Sequence, residues 1–95
     1  MNILPSKYDG EHIVVSFDFS QALAAGETLT SIVSVASSLN SGSGTLSIGT
    51  PQISGASILA PVLGGVAGSS YILKAICDTS NAEKRLEIVA MLPVL

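Results

Sequence analysis

Apolar residues in this chain recur at every second position, the spacing of a half-buried strand and not of a helix. Between positions 12 and 19, Ile13, Val15, Phe17 and Phe19 alternate with His12, Val14, Ser16 and Asp18. The same alternation returns in Tyr71–Asp78, where Tyr71, Leu73, Ala75 and Cys77 share one face, and in Lys84–Leu92, where Leu86, Ile88, Ala90 and Leu92 do. Thr79-Ser-Asn-Ala82 reads as the hairpin turn between those two strands. Thr28–Ser38, rich in β-branched residues, reads as a further strand. Asn40-Ser-Gly-Ser-Gly44 follows as a mobile turn with nothing to anchor a core. Thr45–Ile53 reads as a strand broken near Pro51, and Ser57–Leu63 as one interrupted at Pro61; prolines at such places suit edges or bulges. Ser20–Gly26 has room for a single helical turn with Ser20 as its N-cap and Gly26 ending it. Six or seven short strands, with turn signals every 8–12 residues, indicate an all-β antiparallel sandwich or barrel.

Ninety-five residues suit one domain. The expected division is an N-terminal arm over residues 1–10, fixed or free, and a single β-sandwich over residues 11–95. An apolar share of 47% supplies a core without disulfides or metals, built from Ile, Val, Leu and Ala because only Tyr8, Phe17, Phe19 and Tyr71 are aromatic. The lone Cys77 lies in an apolar run, so it reads as an inert buried thiol, with Lys74 pointing from the opposite face. A net charge of −3 argues against nucleic acid as a partner. Met1-Asn-Ile-Leu-Pro-Ser-Lys7 lacks the features of a secretion signal. Residues 53–73 are uncharged, and Gly64 and Gly68 sketch a GxxxG contact, but Pro61 and interspersed glycines and serines favour two strands and a turn over a membrane span.

Catalytic, cofactor-binding and metal-binding residues are not expected. His12 is the one histidine, with no HxH or HxxxH partner, and reads as an exposed strand residue. Asp18 and Glu27 flank one corner and Asp78 and Glu83 the last hairpin, but no calcium loop is present. Asp18 and Asp78 therefore read as turn-shaping residues. No serine sits in GxSxG, and Gly42-Ser-Gly44 matches neither a phosphate loop nor a dinucleotide fingerprint. The notable feature is an absence: between Glu27 and Lys74 there is no Asp, Glu, Lys, Arg or His. A sandwich of this size normally carries charges on its outer faces. Ser, Thr, Gly and aliphatic residues desolvate at low cost, so this half is expected to be covered by a subunit or partner. The apolar ending Met91-Leu-Pro-Val-Leu95 is a second candidate attachment segment.

The phrase Asp18-Phe-Ser20-Gln-Ala-Leu23-Ala-Ala-Gly26-Glu-Thr-Leu29 resembles the opening of a family of small phage and prophage virion structural proteins. Gly65-Val-Ala-Gly68-Ser-Ser-Tyr71 and the Thr79-Ser-Asn-Ala82 turn resemble a later hairpin of the same family, and together the matches run from residue 13 to residue 92. The resemblance implies an immunoglobulin-like β-sandwich of about seven strands in a head decoration, cement, fibre or tail-associated module. It implies a virion location after synthesis in the bacterial host cytoplasm, capsid or tail protein as partner, and a homo-oligomeric or lattice-bound state. It carries no catalytic residues or cofactors. Few charges and an apolar C-terminal end favour an embedded module of the decoration or cement type. The alternative is an adhesion or carbohydrate-binding module, for which four aromatics offer few stacking platforms.

Overall fold

The computed structural model describes residues 2–95, with side chains from Ile3 onward. Its strands are β1 (Asn2–Ile3), β2 (Ile13–Asp18), β3 (Leu29–Ser41), β4 (Leu46–Ile48), β5 (Gln52–Ser54), β6 (Ser57–Gly64), β7 (Ser70–Thr79) and β8 (Arg85–Pro93). One sheet has the order β1-β8-β7-β3; in the other, β6 lies between β2 and an edge formed successively by β4 and β5. All ladders are antiparallel except β1 with β8. With β4 and β5 counted as one broken edge strand, seven strands result, and their sheet partners follow the immunoglobulin order, the first strand having joined the sheet of the last. The fold is an immunoglobulin-like β-sandwich.

Period-two alternation places the core where the sequence indicates. Val15, Phe17 and Phe19 meet Ile58, Ala60 and Val62 on one sheet, and Tyr71, Leu73, Ala75, Cys77, Ala90 and Leu92 close the other side. All are at most 5% exposed. Burial at roughly 25 cal/mol per Å² of apolar surface makes this shared layer the main source of stability.

Several local expectations are corrected. The corner after β2 is a 3-10 turn, Ser20–Ala22, with Phe19 at the N-cap position and no side-chain cap from Ser20. Asp18 does that work instead, its Oδ1 accepting from the Ser20 N–H at 2.8 Å. β3 runs on to Ser41, because Leu39 and Ser41 still pair with Tyr71 and Ser70. The following turn is tied down: Ser43 N–H donates to Ser69 Oγ, and the Ser43 carbonyl accepts from the Tyr71 hydroxyl.

Pro61 guards no edge and interrupts nothing. It sits inside the central strand β6, opposite Val14. Its carbonyl accepts from the Gly49 N–H, so the side on which proline lacks a donor faces the gap between β4 and β5. The C-terminal residues are equally built in: Leu92 and Val94 are buried, and only Leu95 is largely exposed.

Residues 2–9 lie along the C-terminal strand in a parallel sense. Leu4, Lys7 and Asp9 N–H groups donate to the carbonyls of Met91, Pro93 and Leu95, and Leu95 N–H donates back to Lys7. The Lys7 side chain is fully buried, with Nζ donating to the carbonyls of Tyr8, Asp9 and Gly64 at 2.8, 3.3 and 2.8 Å. An ammonium so far from water requires such partners.

Candidate functional site

Charge is sorted by position along the sandwich. At the end holding the β2–β3 and β7–β8 connections, Lys84 Nζ lies 2.7 Å from Glu27 and donates to the Ala22 carbonyl, and Arg85 Nε lies 2.8 Å from Asp78. Asp18 and Glu83 lie at the same end. At the opposite end Glu11 Oε1 accepts from the Tyr8 N–H, and exposed Asp9 and His12 complete the set. Only Lys74 and Glu87, paired at 3.4 Å, mark the middle, on the outer face of β7 and β8. All four Lys and Arg side chains are thus engaged, Lys7 by carbonyls and the others by carboxylates.

These contacts account for the acidic residues. The Ser20 backbone N–H holds the Asp18 carboxyl below its ordinary range. Hydrogen bonding from Lys84 does the same for Glu27, and from Arg85 for Asp78. Asp78 therefore acts as a cross-strand partner of Arg85 and of the Ser31 hydroxyl, not as the turn-shaping residue expected. Among the described residues no three His, Cys, Asp or Glu side chains converge as metal ligands. Burial, with the charge of Asp78 adding to it, pushes the Cys77 thiol up, away from the reactive thiolate.

The charge-free run from Thr28 to Leu73 becomes one continuous surface. It supplies β3 at the edge of one sheet and β4, β5 and β6 of the other. Outward residues of β6 (Leu59, Pro61 and Leu63) are half-buried and lie beside Val14, Ser16, Ser47 and Gln52. A shallow groove of about 210 Å³ runs over this face between Val14, Leu59 and Pro61 on one side and Thr50 and Gln52 on the other. Val33, Leu39 and Ile53 are exposed on the flank where the two sheets meet. Such a face supplies low-cost desolvation with hydroxyls for hydrogen bonding, the character of a protein contact and not of a reaction centre.

The sequence indicated this surface by its missing charges but could not separate its two sheets. It gave no sign of Lys7, which looks like any arm residue until the fold encloses it. No transmembrane-length apolar helix exists among the described residues.

Comparison with known proteins bears on this surface. No curated protein matches the chain. The family described as Podophage GP4 fiber-tail adaptor protein gp77 matches residues 7–91, which includes every strand but β1 and the last residues of β8. On that span the chain belongs to the podophage fiber-tail adaptor gp77 family, and it is a structural, not catalytic, component of the phage virion.

Proposed function

We propose that the chain is a connector in the phage tail, a rigid sandwich that joins fibre and tail proteins by burying its uncharged face against them. The observation that carries this is the continuous surface of β3 to β6, without a charge over residues 28–73, in a member of a fiber-tail adaptor family. An interface of standard size takes about 800 Å² per partner. The chain exposes 5186 Å², so a single sheet face with its flank suffices. The mechanism is geometric, with burial stabilising the joint and the hydroxyls fixing its register. Between capsid and tail, this reading favours tail, so decoration or cement of the capsid lattice becomes the lesser alternative. A ring of copies around a tail fits the oligomeric expectation.

The test is quantitative mass spectrometry of gradient-purified particles. A few copies per particle supports the connector. A copy number near that of the capsid protein would return the decoration reading, and absence from particles would sink both. Leu59→Lys places a charge in the centre of the proposed face while its backbone stays in β6. The expected result is an unchanged thermal midpoint within about 3 °C and at least about tenfold less chain in particles.

A further inference from the structure

We propose that the outer edge of β2 is a strand-acceptor slot, which takes an extended apolar segment of a tail partner carrying Lys or Arg at its ends. This rests on the connector reading above and names how one partner is held.

The register assigns each main-chain group in β6. The Pro61 carbonyl accepts from Gly49, so Ser57, Leu59, Pro61 and Leu63 turn their backbone toward β4 and β5. Ile58, Ala60 and Val62 therefore turn toward β2, where they meet Phe17, Val15 and Ile13. Successive strand residues alternate, so the N–H and C=O groups of Val14, Ser16 and Asp18 point the other way. Among the described residues these three donors and three acceptors have no hydrogen-bond partner. In the immunoglobulin order the first strand can cover this edge; here β1 pairs with β8 and leaves it open.

The remaining edges are protected in recognised ways. β3 carries three register shifts along its length. The β4/β5 edge is broken around Pro51, and β1 is two residues long. β2 has six residues in unbroken register, with no proline, glycine or lysine. A groove of about 410 Å³ runs beside it, walled by Leu4–Ser6 of the arm on one side and by Ile13–Ser16 on the other, with Glu11 at one end. Val14, 63% exposed, stands at its rim. Unpaired main chain next to an apolar trough is what strand addition uses: backbone bonds give affinity and alternate side chains give specificity.

Charge selects the occupant. Glu11 and Asp18 bracket the slot, and the four Lys and Arg side chains among the described residues are already engaged elsewhere. A second copy pairing antiparallel through β2 would set the Glu11 end of each copy against the Asp18 end of the other, acid on acid. A neutral extended segment with basic ends meets no such repulsion.

The experiment adds the purified full-length chain to tail particles prepared from a phage whose gene for it carries a stop codon. Hydrogen exchange is then read over residues 13–18. The amides of Val14, Ser16 and Asp18 are expected to exchange fast in the isolated chain and slowly once particle-bound. Ser16→Pro removes one outward donor and fills the slot without taking a bond from β6; Val14→Lys adds a gatekeeper to the same edge. Each is expected to lower particle binding by about tenfold or more, with the far-ultraviolet spectrum unchanged. If Ser16→Pro misfolds, exchange at the three amides of the particle-bound wild-type chain decides. Binding of the wild-type chain with those three amides still fast would overturn the slot and leave the connector intact; undiminished binding of Val14→Lys, whose side chain also lines the connector face, would overturn both. A wild-type chain that does not bind the particles overturns both. Dimerisation of the isolated chain that protects the same amides would assign the edge to a second copy instead.

Discussion

One phenol oxygen at the start of β7 joins two turns. Tyr71 is buried, its hydroxyl donates to the Ser43 carbonyl at 2.7 Å and accepts from the Val66 N–H at 2.9 Å. This is the tyrosine corner of immunoglobulin-like sandwiches, with the acceptor contact reaching a few residues upstream. Gly65 makes room for the ring: at its φ of +89°, a Cβ would lie 3.3 Å from Tyr71, 3.2 Å from Leu46 and 3.1 Å from Val94. Tyr71→Phe keeps the packing and leaves a carbonyl and an N–H without their partner. The expected loss is about 1–3 kcal/mol in urea unfolding, with an unchanged slope. Period two identified Tyr71 as an inward residue. It was silent on the hydroxyl's partners, because Ser43 and Val66 reach it only when two separate turns converge.

At the scale of elements, β1 and the residues after it show how a chain end becomes part of a sheet. The division into an arm over residues 1–10 and a sandwich over 11–95 remains our proposal, and it has a direct test. Deleting residues 1–10 removes the cover of β8 and the Lys7 ammonium, whose bonds link the arm to the Gly64 corner. The fully buried apolar core lies in residues 15–94, with Leu4 of the arm only packed against it, so the shortened chain is expected to fold. It should unfold at a lower urea concentration and self-associate through the bared β8 edge, as measured by sedimentation. A chain with no cooperative transition would show that the arm belongs to the domain. Pro61 teaches a related lesson. A proline in a strand sequence suggests an edge, yet here a central strand tolerates it because the neighbouring edge is interrupted opposite its missing N–H.

For the whole molecule, charge and shape work together. Extents of 41 × 20 × 18 Å describe an elongated body whose charges gather at the ends and along β7 and β8. Its carboxylates also set its response to acid. Asp18, Glu27 and Asp78 have folded-state values held below their ordinary ones. Stability from these groups is therefore complete above the ordinary carboxylate range, about pH 4–5, and declines as pH falls through the lowered folded values. The urea midpoint should be level from pH 7 to 5 and fall steadily toward pH 2. Glu27→Gln should lower the midpoint at pH 7 and make the acid decline shallower. An unchanged decline would show that the Lys84 contact does not contribute.

Alternation of side chains is a local property, so the sequence by itself determined the strands from β2 onward, most of their inward residues and the all-β class, and the stretch from Thr28 to Leu73 declared its lack of charge outright. Pairing is not local. Whether β1 lies on β2 or β8, whether Pro61 sits at an edge, and where the Lys7 ammonium finds its carbonyls depend on backbone groups far apart in the chain. The open edge of β2 is of that kind, since it exists only because another strand went elsewhere. Tertiary structure decided these points because each hydrogen bond satisfied at one edge leaves another edge unsatisfied.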